Sequence, residues 1–135
     1  MAKLDTYLFF DGTCAEAMRF YEKVLGGKLE AMMKVGQAPI DGEKARDPDK
    51  IIHAHLLLDG RAILASDWLA PTPFPGNHGF SVSLSCKTVE QVHRVWDALG
   101  QGGTITMPLE KTFWTEAFGM LVDRFGIPWM IGVES

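Results

Sequence analysis

Hydrophobic and polar positions repeat the same succession of periodicities twice along this chain of 135 residues. Residues 6–10 form an aromatic, β-favouring run, and the apolar residues that follow recur at helical spacing as far as Leu25. Residues 80–86 alternate strictly between apolar and serine side chains, and a second helical pattern follows at 88–99. Because several β-rich runs come after each helix, the pattern predicts two β-α-β-β-β modules.

The remaining strands are predicted where short β-rich runs stand between turn residues. They cover residues 28–34, 51–58, 61–67, 104–108, 116–123 and 128–133. Asp59-Gly60 is a strong signal for a tight antiparallel hairpin, and Phe125-Gly126 predicts a turn before the last strand. Residues 36–50 combine prolines, glycines and charges, which predicts an exposed loop.

Each helix has a sequence signature at its start. Thr13 with Glu16 matches a capping box, in which the threonine oxygen accepts a backbone amide hydrogen and the glutamate reaches back. Thr88 is the corresponding cap of the second helix. We therefore expect both helices to begin with a local side-chain cap.

The chain is predicted to be one α+β domain. With 47% hydrophobic residues it can bury one substantial core and no more. Residues 68–78 hold three prolines and suit a linker between half-domains of about 1–70 and 78–135. Each helix can cover only one face of its sheet, and the opposite faces carry serines and histidines. This predicts a curved mixed sheet around a ligand cleft.

Composition and charge restrict the kinds of partner that we expect for this chain. The formal net charge of -4, with lysines and arginines scattered along the chain, argues against nucleic acid. No apolar run reaches the length of a membrane span, and residues 1–11 contain no secretion-signal pattern, so we expect a cytoplasmic protein without a membrane partner. Cys14 and Cys86 are too few for a disulfide framework and are expected to be buried thiols.

Three side chains of the first half are candidates for acid-base chemistry. His53 and His55 lie two apart on a predicted strand, so both imidazoles share one face and can contact a ligand. We select His53 as the catalytic candidate and His55 as a ligand contact, and the alternative is a structural histidine pair. Asp67 ends a predicted strand and is the candidate general base, unless it caps a turn.

Serine and tryptophan side chains are candidates for ligand binding. Ser81 and Ser83 offer hydroxyls on one face of a strand, although an exposed polar face has the same pattern. Trp68 follows Asp67 directly and can help to wall an apolar pocket. Trp114 stands in an otherwise polar stretch, which favours a pocket or an interface.

Several short motifs occur in a fixed order along nearly the whole chain. They are Tyr7-Leu8-Phe9-Phe10-Asp11-Gly12, Glu16-Ala17, Phe20-Tyr21, His53-Ala54, Ser66-Asp67, Gly102-Gly103, Met107-Pro108-Leu109, Trp114 and Asp123-Arg124-Phe125-Gly126-Ile127-Pro128-Trp129. Together they resemble the PhnB-like branch of the vicinal oxygen chelate superfamily, often described as 3-demethylubiquinone-9 3-methyltransferase-like. That superfamily includes glyoxalase I, bleomycin- and fosfomycin-resistance proteins and extradiol dioxygenases. The resemblance implies a U-shaped sheet made by two modules, a homodimer, and Ser66 as a ligand contact.

Metal enzymes of that superfamily bind a divalent ion through terminal strands of each module. Carried onto this chain, the ligand positions fall near Asp5 or Thr6, at Ala65 or Ser66, at Phe80 or Ser81, and at Met130. Imidazole and carboxylate ligands are missing from most of these positions, and such ions prefer those groups. We therefore predict no cofactor, with a weakly bound divalent metal as the alternative.

Two functional hypotheses remain from the sequence. The first is a protein that binds or transforms a small polar metabolite without the metal tetrad, with His53 and Asp67 as catalytic candidates. The alternative is a metal-free dimer that sequesters a small molecule or antibiotic. Methyl transfer is disfavoured because no glycine-rich strand-to-helix turn offers a site for a methyl donor. A module whose cleft is filled by its own aromatic side chains is a third possibility.

Overall fold

The computed structural model describes residues 2–42 and 46–134. The chain divides into two compact units, residues 1–76 and 77–135. Each unit contains one four-stranded mixed sheet and one long helix, as predicted for two β-α-β-β-β modules. No helix among these residues is long and apolar enough to span a membrane.

The first unit contains α1 and four strands. Their bounds are β1 Thr6–Phe10, α1 Cys14–Leu25, β2 Lys28–Lys34, β3 Ile51–Leu58 and β4 Arg61–Asp67. The strand order is β1-β4-β3-β2, with β1 parallel to β4 and the other pairs antiparallel. A short 3-10 helix at Val35–Gln37 begins the loop predicted for 36–50, part of which, residues 43–45, lies outside the described residues.

The second unit repeats this topology. Its elements are β5 Val82–Cys86, α2 Val89–Gly100, β6 Thr104–Glu110, β7 Phe118–Val122 and β8 Pro128–Val133. The strand order is β5-β8-β7-β6, with β5 parallel to β8 and the other pairs antiparallel. The first strand of each unit therefore pairs in parallel with the last. This matching order confirms the predicted fold class.

One face of the first sheet is buried by α1. Ala17, Met18 and Tyr21 form the buried stripe of the helix, and Ala54 and Leu56 on β3 are fully buried. The hairpin between β3 and β4 turns at Asp59 and Gly60, whose φ angles of 48° and 78° both lie in the left-handed region. Positive φ at both central residues is what a tight hairpin requires, so this predicted turn is confirmed.

One face of the second sheet is buried by α2 in the same way. Val92, Trp96 and Leu99 form the buried stripe of the helix, and Trp129 and Ile131 on β8 are buried. The turn before β8 is held by one carboxylate. Asp123 Oδ1 accepts the backbone amide hydrogens of Phe125 and Ile127 at 2.9 and 3.0 Å. Asp123 Oδ2 accepts the indole hydrogen of Trp129 Nε1 at 2.9 Å.

The structure corrects the predicted capping box of α1. Thr13 occupies the N-cap position, but its side chain makes no capping hydrogen bond. Asp67 Oδ1, at the end of β4, accepts the amide hydrogen of Cys14 instead. The cap predicted for α2 is confirmed, because the Thr88 side chain accepts the amide hydrogen of Gln91 at 3.1 Å.

Three predicted strand bounds are also corrected. The strand predicted at 80–86 begins at Val82, so Phe80 and Ser81 precede it. The strand predicted at 104–108 continues to Glu110, and the one predicted at 116–123 is limited to Phe118–Val122. Residues 111–117 form a connection between these two strands. Trp114 lies in that connection.

Candidate functional site

Three predicted site residues, His53, His55 and Ser66, lie on the helix-free face of the first sheet, which is the face that α1 does not cover. Strand register aligns Tyr7 with Leu64 and Leu64 with His55. Side chains alternate between the two faces of a strand, and Ala54 and Leu56 are covered by α1. His53 and His55 therefore share the opposite face, as predicted.

His55 has a polar atom without a partner. Its Nε2 is buried, and it makes no hydrogen bond to any described residue. Its cross-strand neighbours Ala31 and Leu64 are apolar. Buried polar atoms are nearly always satisfied in folded proteins, and leaving one unpaired costs about 1–3 kcal/mol. An imidazole nitrogen in this state can accept a hydrogen bond from a ligand or donate one to it.

Aromatic rings lie on the same face. Tyr7 and Phe9 are 43% and 41% exposed, and their ring centroids are 5.0 Å apart. Phe9 meets Trp68 edge to face at 5.6 Å. Trp68 is fixed by its Nε1, which donates to the carbonyl of Thr72 at 2.9 Å. Ser66 aligns with Phe9 across β1 and β4 and is buried.

Asp67 is placed away from this face. It aligns with Phe10, which α1 covers, and is 2% exposed. Its Oδ1 accepts the amide hydrogen of Cys14 at 2.9 Å, and its Oδ2 accepts that of Ile51 at 2.8 Å. Both oxygens are committed to backbone amides, which matches the capping alternative. We therefore leave Asp67 out of the candidate site.

The thiol beside that carboxylate is not a nucleophile at neutral pH. Burial, and to a smaller extent the charge of Asp67, raise the pKa of Cys14 to about 12. Burial also raises the pKa of Cys86. Because the thiolate is the reactive form, both side chains behave as small apolar core residues, as expected from the sequence.

The helix-free face of the second sheet is rich in methionine. Ser83 aligns with Met130, Met130 with Met120, and Met120 with Met107, so one row of side chains crosses all four strands. Thioether side chains adapt their shape to a bound molecule more readily than branched ones. The sequence reasoning missed this row. Its partial signal is that Met120 on β7 and Met130 on β8 each stand between two apolar or small residues, of which at least one is buried.

A cavity of about 340 Å³ lies on this face. It is lined by Ser83, Leu84, Ser85, Trp114, Thr115, Phe118, Met130, Gly132, Val133 and Glu134. The indole of Trp114 is 51% exposed and meets the Phe118 ring at 5.5 Å and 65°. The connection that carries Trp114 is anchored by Thr115 Oγ1, which donates to the carbonyl of Val133 at 3.1 Å.

Two of the three ligand residues predicted in the second unit line this cavity. Ser83 and Trp114 line it, and Ser81 does not. Ser81 precedes β5 and is half-buried. Ser85 and Phe118 line the cavity although they were not among the predicted site residues. Ser85 follows from the same alternation as Ser83, whereas Phe118 is placed by the register of β7 with β8.

Another cavity, of about 330 Å³, lies in the first unit. It is lined by Arg46, Asp47, Lys50 and residues 69–73, none of which the sequence reasoning selected. The Lys50 ammonium is already engaged, because it lies 3.5 Å from Asp47 and donates to the carbonyl of Trp68 at 3.5 Å. We therefore place the candidate site on the helix-free sheet faces.

Comparison with known proteins gives the family of this chain. Residues 2–132 match the family model described as 3-demethylubiquinone-9 3-methyltransferase. The chain is 34% identical to protein YjdN of Escherichia coli (strain K12) over 139 residues, which cover 96% of this chain and 94% of YjdN. The chain belongs to this PhnB-like family, and that part of the predicted resemblance is confirmed.

Solved structures agree with this PhnB-like assignment. Protein PA1353 from Pseudomonas aeruginosa superposes with a TM-score of 0.92 at 40% identity, covering 99% of this chain and 98% of that one. The PhnB protein from Bacillus cereus gives a TM-score of 0.83 at 27% identity, covering 98% and 100%. Fosfomycin resistance protein FosX from Mesorhizobium loti, at 7% identity, 99% and 92% coverage and a TM-score of 0.67, shares the fold alone.

At the metal positions of the superfamily, the PhnB-like chain offers one carboxylate candidate, Asp5, and otherwise poor ligands. Ala65 offers no donor atom and is fully buried, and Ser66 offers only a hydroxyl. Met130 supplies a thioether, which a hard divalent ion disfavours. Among residues 2–42 and 46–134, no three histidine, cysteine or acidic side chains lie together as a metal site requires. The donor set therefore does not fit the superfamily's ion.

Proposed function

We propose that this PhnB-like protein binds a small organic molecule on the helix-free faces of its sheets, through its own side chains and without a metal ion. The observation that carries the proposal is the cavity of about 340 Å³ on the second sheet. That volume is at the lower end of the range for small-molecule pockets. It suits a ligand of about one ring with polar substituents.

The lining of the cavity has the chemistry of a metal-free binding site. Trp114 and Phe118 supply aromatic surface, and Met130 supplies an adaptable thioether. Ser83 and Ser85 are exposed, and their hydroxyls make no hydrogen bond to another described residue. They are therefore available to orient a polar group of the ligand.

A second candidate function is acid-base catalysis by the first unit. It is favoured by the buried, unpartnered Nε2 of His55 and by His53 on the same face. Imidazole exchanges a proton near neutral pH, so either ring can act on a bound metabolite. Asp67 has no part in this proposal, since both of its oxygens accept backbone amide hydrogens.

Methyl transfer, the activity in the family description, is not what we propose. A methyl donor of the nucleotide type needs a glycine-rich turn between a strand and a helix. The turn from β1 to α1, residues 11–13, contains Gly12 as its single glycine. Homodimerisation is a prediction of the family resemblance, and light scattering after gel filtration checks it.

The test is a panel of phenols, aromatic acids and aromatic amines screened by thermal shift in the presence of a chelator. A ligand that binds only the native state stabilises it by RT ln(1 + c/Kd), where c is the free ligand concentration, so the melting temperature rises with the logarithm of ligand concentration above Kd. We expect at least one class to stabilise the wild type and to lose that effect in Trp114→Ala. The control is Ile105→Ala, because Ile105 on β6 is 53% exposed and does not line the cavity.

Two results decide the proposal. If no class stabilises the protein, or if Trp114→Ala and Ile105→Ala behave alike, binding in this cavity is wrong. Mass spectrometry of the stabilising compounds then separates binding from catalysis. A product that disappears in His53→Ala or His55→Ala, but not in His93→Ala on the exposed side of α2, supports the catalytic alternative.

A further inference from the structure

We propose that the cavity on the second sheet selects small aromatic cations, namely arylalkyl amines that are protonated at neutral pH. This inference rests on the proposed function, because it names the ligand class of the same cavity.

The charge of the lining is negative. Glu134 is its ionisable side chain, and the ten described lining residues include no lysine, arginine or histidine. Glu134 is positioned by its backbone amide, which donates to the carbonyl of Cys86 at 2.8 Å. Its carboxylate makes no ion pair with another described residue. A bound carboxylate or phosphate would find no cation among these lining residues, whereas an ammonium group would meet a carboxylate.

The aromatic surface favours the same charge. The rings of Trp114 and Phe118 meet at 65° with their centroids 5.5 Å apart, so they form a corner rather than a flat stack. The faces of aromatic rings carry partial negative charge and attract cations within about 6 Å of the centroid. Tryptophan is the strongest of these rings. A corner of two rings can hold the ring of a ligand against one member and its cationic group over the other.

The polar atoms of the lining are mostly free to accept hydrogen bonds. The Ser83 and Ser85 hydroxyls each have lone pairs to offer, and the Glu134 carboxylate is acceptor only. Thr115 Oγ1 already donates to the carbonyl of Val133. The Met130 thioether is polarisable and a weak acceptor. An ammonium group, which is a donor without an acceptor, complements this set.

The inference is tested by titrating the full chain with three single-ring probes under one ionic strength, followed by NMR of the backbone amides. The probes are benzylammonium, benzyl alcohol and benzoate. We expect the cation to bind about three-fold or more tighter than benzyl alcohol, from its interaction with exposed rings, and benzoate to bind weakest. Higher salt should weaken the binding of the cation alone.

Charge and ring contributions are separated by variants. Glu134→Gln is expected to weaken binding of the cation about two- to five-fold and to leave benzyl alcohol unchanged. Glu116→Gln removes the same charge from an exposed position outside the cavity and should change neither affinity. Trp114→Ala should weaken both probes. Circular dichroism checks that each variant is folded.

The outcomes separate this inference from the proposed function. If benzyl alcohol or benzoate binds as tightly as the cation, or if Glu134→Gln behaves like Glu116→Gln, the selection for cations is wrong while binding in the cavity stands. If none of the probes perturbs the amides around Trp114 and Phe118, or Trp114→Ala changes no affinity, both proposals are wrong.

Discussion

Asp67 Oδ1, at the end of β4, accepts the backbone amide hydrogen of Cys14, the first residue of α1, at 2.9 Å. The two residues are 53 positions apart, so a helix cap that is normally local is supplied by another strand. The second carboxylate oxygen accepts the amide hydrogen of Ile51 at the start of β3. One buried side chain thus joins a helix and two strands.

Removal of this carboxylate should destabilise the first unit strongly. Asp67→Ala leaves two buried amides without acceptors, and we expect the free energy of unfolding to fall by about 2–5 kcal/mol. Urea denaturation followed by circular dichroism measures the change. Asp97→Ala, at an exposed position of α2, is the control and should change stability by less than about 0.5 kcal/mol. Equal effects of the two substitutions would contradict the structural role given to Asp67.

Cys14 should make stability fall in alkaline solution. Burial first, and then the charge of Asp67, raise its pKa from 9.0 to about 12 in the folded protein. Below pH 9.0 the thiol keeps its proton in both states and contributes no pH dependence. Above it the unfolded chain loses the proton while the folded chain keeps it, so the free energy of unfolding decreases until the folded pKa is passed.

The measurement compares the wild type with Cys14→Ala across that alkaline range by urea denaturation. The difference in free energy of unfolding between them should narrow as the pH rises, because only the wild type contains the titrating thiol. Other groups titrate equally in both proteins and cancel. A difference that stays constant with pH would show that the Cys14 thiol is not shielded.

Gly119 is required by the ring of Trp96. A Cβ at this position of β7 would lie 2.6 Å from the indole Cη2 and 3.0 Å from the Cα of Leu109. We expect Gly119→Ala to lower the free energy of unfolding by about 1–3 kcal/mol, as overpacking of a core does. Gly100→Ala is the matched control. Its Cβ would meet Leu121 at an ordinary 3.7 Å at the end of α2, so it should be neutral or slightly stabilising.

Replacement of His55 by phenylalanine should not destabilise the protein. The substitution removes a buried nitrogen that has no partner and keeps a planar ring, and we expect a gain of about 1 kcal/mol. Thermal unfolding of His55→Phe and His55→Asn compares an apolar with a polar replacement. If His55→Phe is clearly less stable than the wild type, the imidazole has a structural partner and its place in the candidate site is wrong.

The candidate site could be predicted only in part. The alternation of residues 51–58 was enough to place His53 and His55 on one face, because side chains of a strand alternate with a period of two. The same periodicity placed Ser83 but not the start of the strand, which excludes Ser81. The end of a strand depends on where its partner stops pairing, and a local pattern does not contain that information.

Asp67 and the methionine row show more clearly what cannot be predicted from the sequence alone. The sequence allowed Asp67 to be a base or a cap, and its burial beneath α1 favours the cap. The three methionines align only through the register of β6, β7 and β8. Register depends on contacts between residues far apart in sequence, so single-chain patterns cannot give it.

Local patterns along the chain are enough to predict the two β-α-β-β-β modules, the bounds of five of the eight strands and the turn at Asp59-Gly60. Those features depend on local periodicity and on backbone preferences of neighbouring residues, which the order of residues contains directly. Long-range packing, in contrast, makes Asp67 the cap of α1, leaves His55 Nε2 without a partner among the described residues, and brings Trp114 and Ser83 to one cavity. Each of these depends on which distant side chains come together when the strands pair.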